Sequence, residues 1–302
     1  MKISVVIPAA PGHEVSAIES LKNQEEKVYE IIIERGKNTS ANRNKGAKKA
    51  KGDLVAFVNA HSVLSKDWSK NIRLFFEEHK DIDIVGGPQL TPKTNNFFGK
   101  VSGIALSSIF GAANVKNRYT AGKLKLNANE KDVTSANLIC KRKVIQKVLF
   151  DETLYPGEDP KFISDAKKAK LKVAYSPKIV GYNERRESLR WLANQMFKYG
   201  KVRPQKEKFT ETLKQPAFFI PSIFVIYFIS LFFLQIFLKE KVLILSIPLL
   251  FYLALDIIFS AKGMLKSKRI KTFFYLMLIY PSIHISYGLG IIWGYFRKIY
   301  SP

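Results

Sequence analysis

Across residues 216–238 the chain runs without a single charged side chain, and two further stretches, 242–261 and 272–296, are nearly as apolar. A helix needs about 20 apolar residues to cross the hydrocarbon of a bilayer, and all three stretches meet that length. Core helices of soluble proteins keep a polar face, whereas Phe218-Phe219-Ile220 through Ile236-Phe237-Leu238 keeps none. The sequence therefore predicts a membrane domain over 206–302 with about three transmembrane helices. Only Lys239-Glu240-Lys241 joins the first two, which makes them a tight hairpin. Asp256 interrupts the second span, and Pro281 and His284 the third. An acid within a span is a functional candidate; a partner on a neighbouring helix, or a place near the interface, is the competing account.

The same region gives the charge a partner. Lys and Arg number 49 against 25 Asp and Glu, a formal charge of +24, which favours phospholipid headgroups, nucleotide phosphates or nucleic acid. No arginine-rich helix or zinc-finger spacing supports nucleic acid, while basic residues beside apolar segments are drawn to anionic leaflets. Lys201, Arg203, Lys206, Lys208 and Lys214 precede the first span, and Lys262, Lys266, Lys268, Arg269 and Lys271 separate the second from the third. Both basic segments then lie on one side of the membrane. Positive residues favour the cytoplasm, so the expectation is a multi-pass cell-membrane protein with a cytoplasmic amino-terminal domain; Arg297 and Lys298 on the tail run against it. A single cysteine, Cys140, rules out an intramolecular disulfide and reads as a small core residue. Ile3-Ser4-Val5-Val6-Ile7-Pro8 is too short, and too soon broken by proline, for a signal peptide, and reads as a buried strand.

Before residue 206 the pattern changes. Apolar runs at 3–7, 29–33, 54–58 and 82–85 alternate with helix-like stretches at 15–24, 40–51 and 68–79. This alternation predicts an α/β domain with a parallel sheet covered by helices on both faces. Ligands of such sheets bind beyond the carboxyl ends of the strands. Those ends are Pro8-Ala9-Ala10-Pro11-Gly12, Glu34-Arg35-Gly36 and Asn59-Ala60-His61-Ser62.

Ser4-Val5-Val6-Ile7-Pro8, Glu30-Ile31-Ile32-Ile33-Glu34, Ser40-Ala41-Asn42-Arg43-Asn44-Lys45-Gly46-Ala47 and Ala50-Lys51-Gly52-Asp53 resemble the nucleotide-binding half of family 2 glycosyltransferases of the GT-A fold. The similarity continues through Gly86-Gly87-Pro88, Asn137, Phe150-Asp151-Glu152, Gly157-Glu158-Asp159 and the stretch 185–203, so it covers most of residues 1–205. The chain resembles membrane-anchored members of the succinoglycan type, which build polysaccharides of the cell envelope. The resemblance implies an inverting, nucleotide-sugar-dependent transferase of hexosyltransferase type, with a nucleotide-diphosphate sugar as donor and a lipid-linked glycan or polysaccharide as acceptor.

Carried over residue by residue, the resemblance gives Glu34 to the nucleoside, Asn59 to the ribose and Arg186 to the diphosphate; Pro8 and Arg43 join them as candidates for binding the donor. It makes Asp159 the base that takes the acceptor's proton, with Glu158 orienting it. The family's Asp-x-Asp motif holds ribose and a divalent metal, Mn or Mg, through its carboxylates; here those positions read Asn59-Ala60-His61. Three readings stay open: His61 ligates manganese, basic residues bind the diphosphate without metal, or the domain is a non-catalytic scaffold that binds sugar nucleotide. Likewise Arg43 is either a donor contact near a helix amino terminus or a salt-bridge partner, for instance to Asp53. Asp159, before Pro160, also suits a helix N-cap. Asn183 stands where relatives commonly have His before paired arginines. Trp191, Phe197 and Tyr199 fit either a helix at headgroup level or packing within the protein. A transporter is disfavoured, since three spans with one acid offer little for a substrate path.

Overall fold

A computed structural model describes residues 1–206, 216–237 and 241–300. Lys208 and Lys214 of the first basic segment, Leu238, and Lys239-Glu240 of the expected hairpin link lie outside the described residues. The elements in chain order are β1 (Ile3–Ala9), α1 (Ala17–Lys22), β2 (Glu30–Arg35), α2 (Thr39–Lys49), β3 (Leu54–Val58), β4 (Val63–Leu64), α3 (Trp68–Glu78), β5 (Ile84–Gly86), β6 (Gln89–Leu90), α4 (Phe97–Leu106), α5 (Ile109–Ala112), β7 (Asn137–Lys141), α6 (Arg142–Ile145), α7 (Glu158–Lys168), β8 (Val173–Tyr175), β9 (Gly181–Tyr182), α8 (Leu189–Lys206), α9 (Ile220–Phe237), α10 (Val242–Ser267) and α11 (Ile270–Tyr300). They form two compact units, Met1–Thr94 with Asn114–Glu184, and Asn95–Ala113 with Arg185–Pro302.

The first unit is an α/β layer with helices on both faces of its sheet. Its main sheet has the order β2-β1-β3-β7-β5-β8, and β4-β9-β6 form a small second sheet. Strand residues alternate between two buried faces. Ile3, Val5, Ile7, Leu54, Ala56, Val58 and Ile139 pack with Leu21 of α1 and Trp68, Ile72 and Phe76 of α3. Val6, Val55, Phe57, Leu138 and Cys140 pack with Ala47 of α2 and Phe162 and Ile163 of α7. Burial on both faces explains why these strands read as unbroken apolar runs. Full burial also pushes the Cys140 thiol far up and keeps it protonated. The expectation of an all-parallel sheet needs one correction. β7 runs antiparallel to both β3 and β5, because the chain reaches it from the long 91–136 excursion and not through a helical crossover returning to the same end. Asn137 at its start anchors the region: its Oδ1 accepts from Trp68 Nε1 at 2.9 Å, and its Nδ2 donates to Ile179 O at 2.7 Å and Pro88 O at 3.2 Å.

The second unit is helical and includes residues 95–113 and 185–205, which the sequence reading places with the sugar-transfer domain. Two of its helices are long and apolar enough to cross a membrane, over Leu243–Ser267 and Ile270–Lys298; the apolar part of α9 is shorter, Ile220–Leu234. α10 runs six residues past the expected end of its span at 261, through Lys262 to Ser267, since Lys262, Met264, Leu265 and Lys266 are strong helix formers even where the apolar run has ended. α8 lies against α11 with almost no side chain between them. A Cβ added at Gly200 would collide with the Tyr287 carbonyl, at Gly290 with that of Phe197, and at Gly294 with that of Lys201. Small residues of this kind let helix backbones touch. Trp191 and Tyr199 stand exposed on α8, while Leu192 and Met196 are buried.

Polar groups within the unit find local partners. Asp256 is fully buried and accepts from Ser260 Oγ at 3.1 Å, one turn along its own helix. His284 bonds the Phe110 carbonyl at 2.7 Å and Tyr252 Oη at 2.9 Å.

Candidate active site

Pro8 and Glu34 sit opposite each other in the β1–β2 ladder, where both strands leave the sheet. Glu34 is buried, and α2 supplies two cations to it: Lys49 Nζ lies 2.5 Å from Oε1 and Lys45 Nζ 3.2 Å from Oε2. The two lysines are four residues apart and so share a helix face. Burial pushes the Glu34 carboxyl up, but the lysines outweigh it and hold it below its ordinary range.

Asn38 caps α2 by accepting from the Ala41 amide at 3.0 Å, and one turn later Arg43 points into the domain, almost fully buried. Its Nη1 lies 2.9 Å from Glu158 Oε1 and 3.8 Å from Asp159 Oδ1. Its Nη2 donates to Asn59 Oδ1 at 3.5 Å, and the guanidinium stands 5.3 Å above the Phe150 ring. Arg43 is therefore an ion-pair partner, as one of its two readings has it, but with Glu158 and not Asp53. Asp53 instead accepts the Lys2 amide at 2.8 Å.

The carboxylates enter from α7. Gly157 is its N-cap, at φ 121°, a conformation open to glycine and strained for other residues. Asp159 consequently sits in the first turn and is not the cap; Pro160 follows at the third helical position, where no intrahelical amide bond is lost. Asp159 Oδ2 accepts from Thr134 Oγ1 at 3.1 Å. Its Oδ1 is shielded from solvent, has no hydrogen-bond partner among the described residues, and is beyond hydrogen-bond reach of Arg43. Glu158 is buried; burial first, and then the neighbouring Asp159 charge, push its carboxyl above the ordinary range despite Arg43. One cation thus serves two carboxylates. Asp151 turns away, accepting from Thr153 N at 2.9 Å and Thr153 Oγ1 at 2.6 Å.

Asn59 is half-buried beside Arg43, while His61, two residues on, is exposed. No three His, Cys, Asp or Glu side chains gather to hold a metal among the described residues. An exposed imidazole two residues from an amide, with no carboxylate at either position, does not match the oxygen donors that Mg or Mn prefers. Asn183 accepts from Ser62 Oγ at 3.2 Å and donates to Gln89 Oε1 at 2.7 Å, which ties it into the small sheet. Arg186 is exposed and belongs to the second unit. The site thus unites Arg43, Asn59, Glu158 and Asp159 within the first unit and adds Thr134, which no sequence motif signals.

Residues 13–149 match the model described as Glycosyl transferase family 2. Among solved structures, S. aureus TarS 1-349 aligns with 67% of this chain and 64% of its own, at 14% identity and a TM-score of 0.46. TarS 1-349 in complex with UDP-GlcNAc aligns with 65% of this chain and 67% of its own, at 14% identity and a TM-score of 0.47. A further S. aureus TarS structure aligns with 65% of this chain but 40% of its own, at 16% identity and a TM-score of 0.46. The chain spans less than two thirds of the first and third of these. A comparison with curated proteins gives no match. The match covers residues 13–149, including α2 and the exits of β2 and β3, so this part of the chain is similar to the family 2 glycosyltransferases.

Proposed function

We propose that the chain is an inverting transferase that moves a sugar from a nucleotide-diphosphate donor to a membrane-held glycan acceptor, with Asp159 as general base. In this reading residues 1–205 carry the chemistry and 206–302 anchor it, with the first domain at the cytoplasmic face. The observation that carries the proposal is the state of the Asp159 carboxylate: Thr134 fixes one oxygen, the other has no hydrogen-bond partner among the described residues, and the side chain is 21% exposed. The acceptor hydroxyl gives its proton to this carboxylate as its oxygen bonds the anomeric carbon, and the bond from that carbon to the diphosphate oxygen breaks. In this reading buried Glu158, ion-paired with Arg43 at 2.9 Å, orients Asp159. The diphosphate leaves with its charge, and stabilising that charge is the larger catalytic demand; Arg186 is the cation that the family resemblance suggests for it.

Support for the anchor lies in α10 and α11, whose most apolar windows are only 11% and 39% buried. A soluble core helix would be mostly buried. The five cations from Lys262 to Lys271 favour a cytoplasmic side for that end of both helices. The absent Asp-x-Asp carboxylates favour a second reading, a scaffold that binds sugar nucleotide without turning it over. Asp159→Asn separates the two. The amide keeps the size and the Thr134 bond but cannot take a proton, so donor binding should persist while release of nucleotide diphosphate falls by about a hundred- to ten-thousand-fold. Turnover near the wild-type rate in this variant would remove Asp159 as the base, and no donor-dependent release in the wild type would favour the scaffold.

A further inference from the structure

The turn between α10 and α11 holds a feature that sugar transfer does not use. α10 stops at Ser267, Lys268 takes the left-handed conformation at φ 55° and ψ 32°, and α11 begins at Ile270. At this break lies a cavity of about 690 Å³ lined by Phe97, Lys268, Arg269, Ile270, Lys271 and Tyr275. Three of the four residues 268–271 are cationic, and none has an ion-pair partner among the described residues. Asp256, the only Asp or Glu after residue 240, is buried and bonded to Ser260. Phe97 and Tyr275 meet edge to face at 5.1 Å and wall the cavity. The amino-terminal end of α11 adds its positive dipole to the same place.

A second observation says what kind of anion fits. Ile270, Phe274 and Leu278 are 63%, 61% and 63% exposed. Their spacing of four puts them on one face of α11, an apolar stripe that starts at the cavity and runs about 12 Å down the helix at 1.5 Å per residue. A cationic head leading into an apolar track matches an amphiphile. A soluble phosphate would use the head alone.

We propose that this turn is a binding pocket for an anionic phospholipid, with the phosphate against Lys268, Arg269 and Lys271 and an acyl chain along Ile270, Phe274 and Leu278. The proposal rests on the reading of α10 and α11 as membrane helices. It goes beyond general attraction of basic residues to a leaflet, because it names one pocket with a head and a tail site.

The test uses the full chain in phosphatidylcholine nanodiscs carrying a minor fraction of photoactivatable phosphatidylglycerol or photoactivatable phosphatidylcholine, with cross-links mapped by mass spectrometry. The expected result is phosphatidylglycerol cross-linking concentrated on 268–278. Each cation near an anionic lipid is worth about fivefold in binding, so Lys268→Gln/Arg269→Gln/Lys271→Gln should lower that cross-linking by roughly a hundredfold. Cross-linking of phosphatidylcholine along α10 and α11 should be unchanged. Phe274→Gln, which keeps the head, should weaken it as well. Equal phosphatidylglycerol cross-linking in the triple variant would overturn the proposal. So would displacement by millimolar inorganic phosphate, which would mark a site for a soluble anion. Absence of phosphatidylcholine cross-links on α10 and α11 in the wild type would show separately that the membrane reading itself fails.

Discussion

Arg43→Met strands a charge in the first unit. Arg43 and Glu158 have side chains only 5% and 7% exposed, 2.9 Å apart, so solvent screens little of what is lost. Removing one partner of such a pair costs about 3–5 kcal/mol, chiefly because the other charge stays buried and uncompensated. Glu158 has an escape, since it can take up a proton, and burial and Asp159 already push it in that direction. The loss should therefore fall near the lower figure, about 3 kcal/mol, which is roughly a hundredfold in an opening equilibrium. The sign with pH follows from the raised carboxyl. A group whose folded value exceeds its unfolded one contributes stability fully present below the unfolded value, 4.5 here, and lost as pH rises through the folded value. Without Arg43 that folded value rises further, so the variant should approach the wild type in acid and fall away toward neutrality. Cys140, the only cysteine, is fully buried on the central strand β7, and its rate of modification by a thiol reagent reports opening of this core. Labelling should speed up by about a hundredfold in Arg43→Met at neutral pH, and Arg43→Met/Glu158→Gln should recover most of it. Unchanged labelling in the single variant, or a double variant that labels as fast as the single, would refute the assignment of Arg43 as the cation that holds Glu158.

Two further predictions concern the strand-three exit and the second unit. Donor affinity of the wild type should be the same with manganese and with a chelator, and His61→Ala should leave it unchanged; a metal-dependent affinity lost in His61→Ala, measured by calorimetry, would make His61 a ligand. Gly290→Leu should drive α8 from α11 and cost more than about 3 kcal/mol, well above an ordinary overpacking change, because its neighbour is backbone that cannot rotate away; unchanged thermal unfolding of the detergent-solubilised chain would contradict the close contact.

How far the sequence reveals this molecule depends on whether the cause is local. Ile3–Ala9 and Leu54–Val58 show themselves as strands because both their faces are buried, and Trp68–Glu78 as a helix because its apolar residues recur at helical spacing. The direction of β7 is set by the path of residues 91–136, which precede it, about which Asn137-Leu138-Ile139-Cys140-Lys141 carries no signal. The Asp159-Pro160 pair imitates a capped helix start, yet Gly157 begins the helix two residues earlier through a positive φ that composition does not announce. Arg43 and Asp159 are each readable as candidates, but that one guanidinium holds both carboxylates is a fact of the folded sheet, and Thr134 enters only through that geometry.

The touching backbones of α8 and α11 have a consequence for how that pair behaves in different surroundings. Apolar side chains associate strongly in water and hardly at all in lipid, where the tails solvate them as well as a partner would. The contact through Gly200, Gly290 and Gly294 is made by shape and short-range dispersion, forces that are nearly the same in either medium. A joint of this kind keeps its strength along a helix that begins in one solvent and ends in another, so detergent, which replaces the lipid, should loosen α9 and α10 from the bundle before it parts α8 from α11.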